Sequence, residues 1–245
     1  MSIILPSFAG IAKPSGGGGG GVYSNNVSLS CDGTNDFLQL ASTTTLAASS
    51  GWTVSFWIKF DTKESVDIIG SDTDNHSLRL FPISATTYAY IDANGLNANV
   101  NTATVLNTTD WYHVVFVDDS TNITVYIGGS SKGTMGSKGD FKVREIAKQM
   151  FSGTYLDGLI DEVAIWNTNL TASNVSTIYN SGVPGDISSL NPLSWWRMGD
   201  GTGDTDSGGG SPGAGDTVGT VADQGSGSNN GTGTNGATYS GSVPS

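Results

Sequence analysis

The 245 residues carry ten Lys or Arg against 22 Asp or Glu, a net charge of −12, which argues against nucleic-acid binding through a basic face. Hydrophobic content is only 36% while 35 residues are glycine, as suits one β domain with much loop and tail around a compact core. Cys31 is the only cysteine, so an intrachain disulfide and a thiolate zinc site are both excluded.

Residues 1–21 read as an N-terminal arm and linker. Ile3, Ile4, Leu5 and Phe8 come first, and six glycines at 16–21 follow. No basic stretch precedes the apolar residues and they are too few to cross a bilayer, so neither a signal peptide nor a membrane span is expected. The arm is either a flexible terminus or an anchor that docks on another subunit, with the polyglycine as its tether.

Residues 22–190 read as a β-sandwich. Val27, Leu29 and Cys31 alternate, and a turn at 32–36 leads to Phe37, Leu38 and Leu40. Val54, Phe56, Ile58 and Phe60 alternate with Thr53, Ser55, Trp57 and Lys59, a strand with one core face. Short strands are expected at 68–69, 78–81 and 88–91, then a hairpin of 111–117 with Ile123, Val125 and Ile127. Five of the ten basic residues (Lys132, Lys138, Lys142, Arg144, Lys148) crowd the next stretch, read as a solvated loop or a docking patch for an acidic partner. Leu159, Ile160, Val163, Ala164, Ile165 and Trp166 form a strand that is apolar on both faces. Thr171 then caps a short helix with Val175, Ile178 and Tyr179 on one face, and Gly182 ends it.

Residues 191–245 hold a Trp195-Trp196 strand and a glycine-rich tail with no Lys or Arg after Arg197. Alone, such a tail would be disordered. The strand argues that it packs on the same sandwich, with one indole facing the core and the other facing out towards a partner.

Several of these motifs resemble one family. A Gly158-x-Ile160-Asp161-Glu162-Val163-x-Ile165-Trp166-Asn167 strand, followed by Leu170-Thr171 and Tyr179-Asn180-x-Gly182, resembles the closing motif of laminin-G-like modules of the concanavalin-A-like jelly-roll lectins. The Asp32-Gly33-Thr34-Asn35-Asp36-Phe37 turn and the hairpin from Asp110-Trp111 to Gly128-Gly129 resemble the same family's early and central hairpins. The resemblance implies an all-β, two-sheet antiparallel jelly roll with one short helix near its C-terminal end. The Trp195-Trp196 segment resembles the piece that opens such a module, so the module is either circularly permuted or followed by the start of a second unit.

The resemblance also implies a structural calcium ion held by Asp32, Asp36, Asp161 and Asp223, with carbonyls from Gly33 and Gly225. Ordinary Asx turns explain the same Asp-Gly steps without an ion, so no cofactor is the alternative. Glycosidases on this fold need two carboxylates at fixed spacing. The glutamates here are Glu64, Glu145 and Glu162, the Glu-x-Asp-x-x-Glu strand of the enzymatic branch is absent, and the adjacent Asp161 and Glu162 are expected on opposite faces. His113 reads as a structural core histidine and His76 as solvated, and no catalytic arrangement follows from them, so no enzyme is expected. Of the tryptophans, most read as core rather than as sugar platforms.

The segment Ser194-Trp195-Trp196-Arg197-Met198-Gly199-Asp200 and the late Asn235-Gly236-Ala237-Thr238-Tyr239-Ser240 resemble accessory virion proteins of aquatic bacteriophages. That resemblance implies a structural subunit decorating a capsid or projecting from it as a fibre or knob. Other virion subunits, further copies of the chain and cell-surface glycans are then its partners, with the virion as its location. The alternative is an extracellular bacterial lectin or adhesin domain.

Overall fold

The computed structural model describes residues 23–82, 86–148, 150 and 154–245. The anchor residues Ile3, Ile4, Leu5 and Phe8 lie outside them. Two antiparallel eight-stranded sheets stack face to face. The front sheet runs β10 (Ser130–Gly136), β9 (Asn122–Ile127), β8 (Tyr112–Asp118), β3 (Trp52–Phe60), β12 (Asp157–Trp166), β1 (Ser28–Asp32), β16 (Thr238–Ser240), with β13 (Ser194–Trp196) also on β12. The back sheet runs β14 (Thr220–Val221), β15 (Gly231–Thr234), β2 (Phe37–Leu46), β11 (Phe141–Ile146), β4 (Val66–Ser71), β5 (His76–Phe81), β6 (Tyr88–Ala93), β7 (Leu96–Asn101). This is the jelly-roll sandwich.

Alternation puts Val54, Phe56, Ile58, Val114, Phe116, Ile123 and Val125 of the front sheet against Leu38, Leu40, Leu78, Leu80, Ile91 and Val143 of the back. Phe56 lies 6.4 Å from Phe116, and Trp52 stacks 5.3 Å from Phe141. The one α-helix of the described residues, α1 (Ala172–Tyr179), lies over the outside of the front sheet. A capping box starts it: Thr171 Oγ1 accepts the Asn174 N–H, and Asn174 Oδ1 accepts the Thr171 N–H. Its apolar side seats Val175 on Val115 and Val117, and Ile178 beside Ala164, Trp166 and Trp195. Strand β3, read as having one core face, is therefore buried on both, because α1 covers the face that carries Thr53, Ser55 and Trp57.

Of the basic stretch, Lys132 lies in β10 and Lys142 and Arg144 in β11, while Lys138 and Lys148 lie in the loops beside them. Lys142 is paired to Asp74 at 2.6 Å and Lys148 to Asp72 at 3.1 Å. His76 is buried rather than solvated. It opens β5, and its Nδ1 accepts the Lys142 N–H at 2.9 Å.

The last fifty-odd residues complete both sheets. Strands β13 and β16 join the front, β14 and β15 the back. Aspartates organise the glycine-rich loops between them by accepting backbone N–H groups that no strand partner reaches. Asp204 accepts from Gly199, Gly201 and Ala222, Asp206 from Gly208 and Gly210, and Asp200 from Asn26 and Val27. Close approach explains part of the glycine content: a Cβ at Gly225 would sit 2.6 Å from the Leu193 carbonyl oxygen.

Candidate functional site

A pocket of about 670 Å³ opens outside the front sheet, where β3, β8 and the β9–β10 turn meet the end of α1. Its floor is a stack of rings. Trp57 lies 4.9 Å from His113 and 6.0 Å from Tyr179, and Tyr179 lies 5.9 Å from His113. Helix α1 delivers Tyr179 from its last turn, and Gly129, at φ 72°, lets the ring lie flat. A Cβ there would come within 2.7 Å of Tyr179 Cδ1. His113 shares a 2.9 Å hydrogen bond with Ser55 Oγ, and burial holds its pKa down at about 3, so the imidazole is neutral.

The wall is the 107–112 loop, fixed by its own hydrogen bonds. Asn107 Oδ1 accepts from the Thr109 and Asp110 N–H groups, and the Tyr112 hydroxyl accepts from Asn107 N–H at 3.0 Å. These bonds place Trp111 and Tyr112 beside the stack and the exposed Asp110 carboxylate at the rim. Asn107 and Thr109 hold that carboxyl below its usual range. Ser130 and Lys132 of β10 also line the opening. The buried Trp111 Nε1–H has no partner among the described residues.

A second cluster lies beside α1 and is closed. Between Asp161 and Ala164 the β12 register slips, and Glu162 adopts φ 48°. Ile160 and Val163 both face the core, so the bulge turns Asp161 and Glu162 outward together, contrary to their expected opposition. Glu162 Oε2 accepts Trp195 Nε1–H at 2.6 Å and Oε1 accepts Arg197 Nε–H at 3.1 Å. Arg197 also donates to the Ser24 carbonyl and lies over the Tyr23 ring, 4.3 Å to its centroid. With Asp161 0% and Glu162 6% exposed, no substrate bond reaches this pair; it fastens β13 to β12.

Desolvation raises both carboxyls, Glu162 to about 7 despite the opposing pull of Arg197, and Asp161 well above the usual range, with the Glu162 charge adding to it. The folded state therefore binds protons that the unfolded chain has released, and the pair's contribution declines as pH rises above the ordinary carboxylate range. Neutral His113 acts in the opposite sense, its contribution being complete above about pH 6.5 and lost as pH falls towards 3. The acid pair is thus best read by difference. Asp161→Asn, which keeps an acceptor for the Glu162 N–H, is expected to melt higher than the parent at pH 8, with the gap closing as pH falls to 4. A gap independent of pH would refute the assignment.

The four aspartates that the resemblance assigns to calcium do not converge. Asp32 sits opposite Asp157, so Asp161 is four residues up β12, about 13 Å away. Asp36 shares the turn of Asp32, and burial raises its carboxyl. Asp223 Oδ1 accepts the Trp195 and Gly225 N–H groups and its Oδ2 that of Asn229. Among the described residues no three His, Cys, Asp or Glu side chains group to hold a metal, so this set does not fit one ion. Trp195 and Trp196 do face opposite ways, yet the chain covers both. Trp195 packs against Trp166, Ile178 and Ile187, and Trp196 lies in the core with its Nε1–H on the Asn229 carbonyl. Neither ring is left for a partner. No helix among the described residues is long and apolar enough to cross a membrane.

The family model of the concanavalin A-like lectin/glucanases superfamily, of laminin G type, matches residues 32–176, more than half of the chain. The chain belongs to this superfamily. No curated protein gives a sequence match. Among solved structures, this superfamily member is similar to a native heptameric SAP-like pentraxin from Limulus polyphemus (TM-score 0.52, 20% identity), covering 63% of this chain and 82% of that one. It is similar also to a “putative carbohydrate binding protein” from Bacteroides ovatus (TM-score 0.55, 18% identity), covering 86% of this chain and 61% of that one. At these identities the likeness is one of fold.

Proposed function

We propose that the chain is a non-catalytic glycan-recognition domain that binds a saccharide in the pocket between Trp111, Tyr112 and Tyr179. The observation that carries this reading is the pocket itself: aromatic rings for the apolar faces of a sugar, and Asp110, Lys132 and Ser130 for its hydroxyls. Membership of a lectin-containing superfamily and the likeness to a protein named for carbohydrate binding support it. Its setting, in the same proposal, is a bacteriophage particle, where many copies sit among other virion subunits and present the pocket to host glycans. The resemblance of residues 194–200 and 235–240 to accessory virion proteins supports that setting.

On a glycan array, Tyr179→Ala is expected to lower binding at least tenfold while leaving the far-ultraviolet spectrum unchanged. Equal binding by parent and variant would remove the pocket from consideration. Mass spectrometry of purified particles tests the setting: finding the chain only as a free extracellular protein would favour an adhesin.

A further inference from the structure

The outside of the back sheet carries a regular row of amides and rings. Strand β7 reads Leu96-Asn97-Ala98-Asn99-Val100-Asn101, asparagine at every second position, although asparagine is poorly suited to strands. Ala98 and Val100 pack on the core, so the three amides share the outer face. Register places them beside a matching row on β6: Asn101 opposite Tyr88, Asn99 opposite Tyr90, Asn97 opposite Asp92. Strand β5 continues two of these rows with Phe81 and Arg79.

The rings form one patch, with Tyr90 5.5 Å from Phe81 and 6.4 Å from Tyr88. The patch is held rigidly. Arg79 reaches Asp67 at 2.9 Å and Asp92 at 2.8 Å, and buried Asp67 also accepts the Ser77 hydroxyl and the Met150 N–H. At one end, Asn75, Asp92, Leu96 and Asn97 enclose a pocket of about 150 Å³. The side-chain amides of Asn97 and Asn99 are exposed and make no hydrogen bond among the described residues.

We infer that this face is a second, extended binding surface for a neutral polysaccharide, which runs along β6 and β7. Sugar rings lie on Tyr88 and Tyr90, and the amides of Asn97 and Asn99, each offering donors and an acceptor, take pairs of vicinal hydroxyls. Rows two residues apart along a strand recur at about 7 Å, which suits a repeating linear ligand better than a single sugar. The guanidinium of Arg79 is already matched by two carboxylates, so the face offers no net positive charge to an acidic polymer. The surface lies on the opposite sheet from the aromatic pocket, and its occupancy stands even if that pocket binds nothing.

Affinity electrophoresis of the full chain through gels containing β-glucan, galactomannan, xylan or alginate tests it. Retardation is expected in at least one of the three neutral gels. The surface pair Asn97→Ala/Asn99→Ala, which buries nothing, should weaken it at least tenfold, as should Tyr90→Ala. Tyr179→Ala should leave it unchanged. The inference is overturned by retardation in alginate alone, by retardation that survives the asparagine pair, or by no retardation in any neutral gel. Loss on Tyr179→Ala with none on Asn97→Ala/Asn99→Ala would place all binding in the pocket and overturn it equally.

Discussion

A chain ending at Pro192 is expected not to fold. Such a truncation removes Trp196, Met198, Val218, Val221, Ala237 and Tyr239 from the core and strips a neighbour from β12, β1 and β2 at once. Losing one fully buried Trp to alanine costs about 3–5 kcal/mol. That is already a large share of the roughly 5–15 kcal/mol that holds a domain together. Three exposed strand edges would then favour aggregation. Soluble expression and a thermal melt followed by circular dichroism decide the matter, and a truncated protein that melts with the full-length chain would contradict it.

Glu162→Ala is expected to be the most damaging single change outside the apolar core. Arg197, 11% exposed in its side chain, would keep its charge and lose its carboxylate partner, and the Trp195 Nε1–H would be left bare. Breaking a buried pair from one side typically costs about 3–5 kcal/mol. Glu162→Gln, which keeps an acceptor, should cost clearly less. Urea unfolding of both variants measures the difference. A loss below about 1 kcal/mol for Glu162→Ala would mean that the pair does not fasten β13.

The jelly roll was legible because β3 alternates cleanly, because β12 is apolar on both faces as a covered central strand must be, and because the switch from strand to capped helix after Trp166 leaves a periodic trace. Other features were hidden for physical reasons. The bulge at Glu162 inserts one polar residue beside another, and nothing in the pattern Ile160-Asp161-Glu162-Val163 tells a slip from plain alternation. Burial of Trp57 depends on α1, whose docking place is a tertiary fact. Strand β7 went unread since asparagine and alanine are weak strand formers, although its period of two was present throughout. The ordering of the tail rests on carboxylates that meet backbone N–H groups far along the chain, as Asp200 meets Asn26. Aspartate in a glycine-rich stretch gives no hint of such a reach.

Strands β1 and β16 lie antiparallel with Ser28 opposite Ser240, so the chain enters one and leaves the other side by side at the same end of the sheet. Tension applied through residues 27 and 241 would therefore unzip this pair rung by rung instead of loading its hydrogen bonds in parallel. The Ser28 hydroxyl on the Ser242 carbonyl, at 2.8 Å, is a clasp at the mouth of that zipper and bears the load first. Pulled from those two points the sandwich is mechanically weak, and it yields by shedding β16 while the β8–β3–β12 centre is still intact.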